Sequence, residues 1–298
     1  MSGAWDRFWA DDRQTGGGGC LPSADNRIEQ VQAEAWRAFA VELPKHARVL
    51  DLGTGDGRVM RWMIEARRDL KPVGVDYAEQ IPPAPRGCRS RGGVRIEALP
   101  FGDSTFDALT SQFGIEYADT DAAVAELARV LRPGGHYRLI IHRAEGPLVR
   151  HNLARLEGLE WAAGASGALP NARRLVEARA VANLPTPPSF AQLVSEGRSR
   201  FGRGSAAEEF TMAVLQTLEG SRGGPPREAL EALDELERLA EDEESRIRHL
   251  AASAFGQAKL ERFADRLRDA GVPVETVCDL GDGTDIAGVA WLIDGSKS

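Results

Sequence analysis

VLDLGTGDGRVM, Val49 to Met60, decides how the rest of this 298-residue sequence is read. An apolar run breaks into three glycines, Gly53, Gly55 and Gly57, set among the aspartates Asp51 and Asp56, and then resumes with helical spacing. A glycine-rich turn entering a helix N-terminus usually cradles a phosphate. The dinucleotide fingerprint spaces its glycines G-x-G-x-x-G. Here the spacing is G-x-G-x-G, and Arg58 stands in place of the third glycine of that pattern. The P-loop is excluded more firmly, because no Gly-Lys-Ser/Thr follows. Two carboxylates beside a pyrophosphate would repel it in a partly desolvated loop. A ligand carrying a cationic group suits them better.

Outward from this stretch, short apolar runs alternate with helical patterns. Before it, Ile28, Val31, Ala35, Trp36, Phe39 and Leu43 recur at helical spacing and Pro44 closes the run. After RVLDLG come a helix RVMRWMIEARRDL, a strand PVGVD, a proline-rich connection IPPAPRG, a weak strand VRIEA, a strand FDALTSQ, a helix DAAVAELARVLRPGG and a strand HYRLIIH. That alternation predicts an α/β fold whose mostly parallel sheet is covered by helices on both faces. VPVETVCDL and IAGVAWLID, joined through GDGTD, read as an antiparallel hairpin at the sheet edge. WDRFWADD is expected as a short helix and TGGGGC as a break behind it. The expected divisions are an N-terminal flap and helix over 1–44, a core over 45–144, a helical insertion over 145–226, and a C-terminal helix with the edge hairpin over 227–298. The acid run EDEESR in the last helical stretch is a solvated face or a kink.

Composition narrows the function classes. A formal charge of −8 disfavours a general nucleic-acid or anionic-membrane surface, which needs a basic face. Three widely separated cysteines support neither a disulfide framework nor a Cys-x-x-Cys metal site, and no other metal constellation is visible. No stretch approaches the ~18 apolar residues of a membrane span. A cytoplasmic chain is expected.

Four segments, in order, carry a likeness to a known family: VLDLGTGDG, the acid-ended strand VGVDY, ALPFGDSTFDALTSQFGIEY and ELARVLRPGGHYRLII. Over about Val49 to His142 the chain resembles the class I S-adenosylmethionine-dependent methyltransferases of the small-molecule type 11 group, which include quinone-biosynthesis C-methyltransferases. The resemblance implies a doubly wound, seven-stranded Rossmann-like sheet with a reversed seventh strand, a helical lid, and S-adenosylmethionine as cofactor. On that footing Gly53, Thr54 and Gly55 would let the backbone approach the cofactor. Asp51 would neutralise its methionine ammonium, directly or through water. Asp76, about 20 residues after the loop, would accept both ribose hydroxyls. Tyr77 would cover the adenine or simply pack. The family's Asp-Ala pair before LPF is missing in RIEALPF, leaving Glu97 either to take that role or to sit on the surface. Ser111 and Gln112 would line the methyl end of the pocket.

Methyl transfer from a sulfonium is an in-line displacement, and a base is needed only where the nucleophile must lose a proton. His142, at the carboxyl end of its strand, and Glu116, in the loop after the fourth strand, are the candidate bases, each with a capping or solvated role as the alternative. Tyr117 and His151 are weaker candidates. Amine methyltransferases acting on nucleic-acid bases carry an Asn/Asp-Pro-Pro-aromatic stretch where this chain has SQFG, which argues for a small-molecule or lipid-like acceptor. From Arg150 to Arg203 the sequence has eight arginines against four glutamates. Arginine favours carboxylate and phosphate recognition, so an anionic acceptor is one expectation and simple solvation of short helices the other. Aminopropyl transfer, and a non-catalytic S-adenosylmethionine-binding protein, are the competing functions.

Overall fold

The computed structural model describes residues 26–164, 167–182, 184–281 and 288–298. The expected helix WDRFWADD, the glycine break after it and most of the GDGTD turn lie outside these residues. Seven strands form one sheet: β1 (Arg48–Leu52), β2 (Lys71–Val75), β3 (Arg89–Arg91), β4 (Phe106–Gln112), β5 (Leu131–His142), β6 (Val274–Leu280) and β7 (Ala290–Ser296). Their order is β3-β2-β1-β4-β5-β7-β6. The first five strands pair in parallel, while β7 runs antiparallel to both β5 and β6. This is the doubly wound sheet with a C-terminal antiparallel pair that the alternation predicts. Its order reverses between β1 and β4, the position where open α/β sheets form a crevice at their carboxyl ends.

The described residues form two compact units, one within 26–149 and 252–298, the other within 150–251. In the first, Leu50 and Leu52 of β1 pack with α3 (Thr120–Val130) and α9 (Gln257–Asp269). Val49, on the opposite side of the same strand, packs with α1 (Asn26–Glu42) and α2 (Arg58–Ala66). A strand buried on both faces explains the continuous apolar run of RVLDL. The second unit has its own core, in which Leu159, Leu169, Phe210, Val214 and Leu233 are buried. It draws on α4 (Pro147–Ala163), α5 (Ala168–Arg179), α6 (Ser189–Phe201), α7 (Ala206–Gly220) and α8 (Pro226–Ser253). The helical insertion therefore extends past the boundary expected at residue 226.

Two local expectations are corrected and a third is decided. The third strand is Arg89–Arg91, not VRIEA. Val94, Ile96 and Leu99 are buried, so the segment alternates like a strand. It nevertheless turns, with the Ala98 N–H donating to Arg95 O. Gly92 makes this crossing possible, since a Cβ there would stand 2.4 Å from Glu79 O. The helix expected to reach Gly135 stops at Val130 and the chain continues as β5. Pro133 disfavours helical backbone at the residue before it and lacks a donor of its own. The acid run lies within the continuous α8 and is a solvated face, where Arg238 bonds Glu235 and Asp242 and Arg248 bonds Glu244. This helix ends at Ser253, and Gly256 opens α9.

Candidate active site

The glycine loop leaves β1 at its carboxyl end and is held down by β2. The N–H groups of Gly53 and Thr54 both donate to Val75 O at 2.9 Å, and Gly55 N–H donates to Asp76 Oδ2 at 2.8 Å. The other Asp76 oxygen accepts Ala78 N–H at 2.9 Å, so this carboxylate fastens the loop to the end of β2. Gly53, Gly55 and Gly57 have φ of +70°, +51° and +75°, the left-handed region that favours glycine. A Cβ on Gly53 would come within 2.9 Å of Gly114 Cα, and one on Gly57 within 2.6 Å of Pro85 Cδ. The third glycine thus accommodates the proline-rich connection after β2. Thr54 packs over Gly74, whose absent Cβ would lie 2.4 Å from Thr54 Oγ1.

Asp51 is 1% exposed, and its two oxygens accept Thr54 Oγ1–H at 2.7 Å and Thr110 Oγ1–H at 2.8 Å. Burial pushes its carboxyl up to about 7, the charges of Asp76 and Asp56 push the same way, and the two hydroxyls oppose the rise. Asp51 sits beneath the loop and fixes Thr54. Asp56 accepts Arg58 N–H at 3.0 Å and pairs with the Arg58 guanidinium at 2.9 Å, so the residue in the third-glycine position of the dinucleotide pattern neutralises the second acid.

Ser111 and Gln112, at the end of β4, bond to neighbouring elements. Ser111 is fully buried, donating to Leu52 O at 2.8 Å and accepting Ile115 N–H at 3.0 Å. Gln112 Oε1 accepts Trp36 Nε1–H at 2.6 Å and its amide donates to Gln32, which ties β4 to α1. Tyr77, 44% exposed, stands directly after Asp76. Glu97 accepts Asp119 N–H at 3.1 Å at the start of α3 and lies 3.4 Å from Arg95. It is therefore engaged at a helix entrance.

Glu116 and His142, read separately from sequence, meet. Glu116 lies in a single helical turn, Ile115–Tyr117, and is 3% exposed; His142 ends β5 and is 5% exposed. Glu116 Oε1 is 2.8 Å from His142 Nδ1 and accepts the His142 main-chain N–H at 3.1 Å. The Phe113 ring stacks on the imidazole with centroids 3.9 Å apart, and the Tyr117 ring meets it edge-on at 6.3 Å. Sequence reading missed Phe113, Gly114 and Thr110. The tight Phe-Gly after β4 was the available signal for the first two.

In the second unit several of the arginines from Arg150 to Arg203 hold partners within it. Arg155 pairs with Glu209 and Glu243, Arg173 with Asp234 and Glu237, and Arg198 with Glu208. Arg179 donates to Leu184 O and Leu218 O.

The family model described as "Methyltransferase domain" matches residues 50–139. A demethylmenaquinone methyltransferase of Thermus thermophilus is 38% identical over 130 residues, covering 39% of this chain and 57% of that protein. The chain thus spans little more than half the length of that relative. A demethylmenaquinone methyltransferase of Roseiflexus castenholzii is 33% identical over 175 residues, 54% of this chain and 72% of that protein. Among solved structures, a SAM-dependent methyltransferase from Aquifex aeolicus aligns with a TM-score of 0.45 and 13% identity over 91% of this chain and 93% of that one.

Proposed function

The chain belongs to the class I S-adenosylmethionine-dependent methyltransferases of type 11, and from that premise we propose that it methylates a small-molecule acceptor with S-adenosylmethionine. The observation that carries this is the glycine loop bonded to Asp76 at the β1/β4 switch of the sheet. The residues fit the cofactor. At Gly53 only a hydrogen fits against Gly114. Asp76 is a carboxylate with about four acceptor sites, enough to hold loop N–H groups and to take ribose hydroxyls. Tyr77 offers an exposed ring beside it for the adenine. Asp51 supports the loop through Thr54. The bound cofactor supplies a methyl group on a positively charged sulfur. Glycine backbone and Asp76 orient it, and a fixed geometry raises the rate by holding donor and nucleophile in line.

The relatives' names favour an aromatic, quinone-derived acceptor. Of the arginines that suggest an anionic one, Arg155, Arg173 and Arg198 hold acidic partners within their own unit. Calorimetric titration with S-adenosylmethionine and S-adenosylhomocysteine tests the cofactor assignment. Both should bind, and Asp76→Ala should weaken binding by more than about tenfold through loss of charge-assisted bonds. Heat absent from the wild-type titration, or undiminished in a folded Asp76→Ala, overturns it.

A further inference from the structure

His142 is gripped more tightly than a residue that merely ends a strand. Its main-chain N–H donates to Glu116 Oε1, which marks that oxygen as an acceptor. The second contact to the same oxygen is then Nδ1–H donating, at 2.8 Å. This tautomer puts the lone pair on Nε2, and Nε2 has no hydrogen-bond partner among the described residues. Glu116 Oε2 is buried without a hydrogen-bond partner. A carboxylate so poorly solvated is better satisfied when the imidazole beside it turns positive. The other charged groups nearby are Lys259 on α9, bonded to Ser253 O at 2.7 Å and lying over the Phe255 ring, and Arg143, paired with Asp279. Tyr117 is the remaining titratable neighbour.

Phe113 adds an independent observation. Its φ is +56°, a conformation that non-glycine residues rarely adopt, and its N–H is bonded to Ile140 O at 2.8 Å. The backbone strain is held in place exactly where the ring lies flat on His142, and strain of this kind clusters at functional sites. The next residue, Gly114, is the one that Gly53 of the cofactor loop touches. The turn that fixes His142 is therefore packed against the loop assigned to the cofactor.

We propose that His142 is the proton acceptor of the reaction, with Glu116 and Phe113 as its positioning residues, and that the methyl acceptor attacks through a hydroxyl oxygen on an unsaturated carbon. This rests on the methyl-transfer assignment above. As His142 Nε2 takes the hydroxyl proton, the acceptor's electrons form the bond to the methyl carbon, and the carbon–sulfur pair returns to sulfur as a neutral thioether. The imidazolium is balanced by Glu116 and later yields its proton to water. A phenol or enol hydroxyl is a far stronger acid than an aliphatic one and gives up its proton to an imidazole more readily.

Nitrogen NMR of the full chain labelled at histidine tests the proposal without an acceptor, with His142→Gln identifying the signal among five histidines. Nδ1 should carry the hydrogen in the neutral form. Glu116→Ala, which removes the acceptor of Nδ1–H, should populate the other tautomer. The sulfonium of S-adenosylmethionine, but not the neutral S-adenosylhomocysteine, should disfavour the imidazolium and so separate the His142 signals of the two complexes. A proton on Nε2, an unchanged tautomer in Glu116→Ala, or identical His142 signals in two complexes that calorimetry shows to be formed overturns the proposal alone. Failure of both ligands to bind overturns the cofactor assignment and this proposal with it.

Discussion

At the scale of single residues, Asp51 shows how burial reassigns a recognisable motif residue. The two hydroxyls of Thr54 and Thr110 hold the carboxyl, and burial raises it from 3.8 to about 7. The folded protein therefore keeps a proton that the unfolded chain releases near pH 4. The contribution of Asp51 to stability is complete below pH 4, falls as pH rises towards 7, and is level above it. A shift of this size corresponds to roughly 4 kcal/mol across that window. Thermal unfolding at pH 5 and pH 8 should show a loss for the wild type relative to Asp51→Asn, and parallel behaviour of the two proteins would refute it. The sequence showed that an acid stands at the end of β1. It could not show that Thr110, 59 positions away, supplies one of its donors.

At the scale of elements, the strands and most of the helices were legible because their apolar patterns match the faces they bury. RVLDL is apolar on both sides and lies centrally in the sheet, and α1 carries its apolar stripe onto Val49, Ile140 and Leu292. VRIEA misled because a turn can bury every second residue as well as a strand can, and the crossing at Gly92 is visible only in three dimensions. The meeting of Glu116 with His142 was partly legible: both follow strands that end at the carboxyl edge, but their bond depends on the register of β4 against β5. Gln112 was legible as a strand-end amide and not as the partner of Trp36, 76 residues earlier. Trp36 is fully buried, so Gln112→Ala would strand its indole N–H at a cost of about 1–3 kcal/mol. Calorimetric melting should register that loss while the dissociation constant for S-adenosylmethionine stays within about twofold. A large change in cofactor affinity at unchanged stability would restore Gln112 to the pocket.

At the scale of the whole molecule, the chain leaves the sheet after β5, builds a second unit over 150–251, and returns to complete the sheet with β6 and β7. The boundary at 251 was hidden because α8 runs through it with unbroken helical periodicity. The second unit has what an independently folding segment needs: buried apolar residues drawn from five helices within one stretch of about a hundred residues. Its ion pairs, among them Arg155 with Glu243 and Arg173 with Glu237, are partly exposed and add little that salt would not screen. Packing should therefore dominate its stability. The segment 150–251 made alone should be helical by circular dichroism and unfold in one cooperative thermal step, with a midpoint nearly insensitive to 0.5 M salt, about the concentration at which exposed pairs are screened. Leu233 is fully buried in that core, and Leu233→Ala should cost about 2–5 kcal/mol, lowering the midpoint by roughly 10 °C or more. A gradual, non-cooperative loss of ellipticity, or a midpoint unmoved by the substitution, would mean that this core does not hold the segment together by itself.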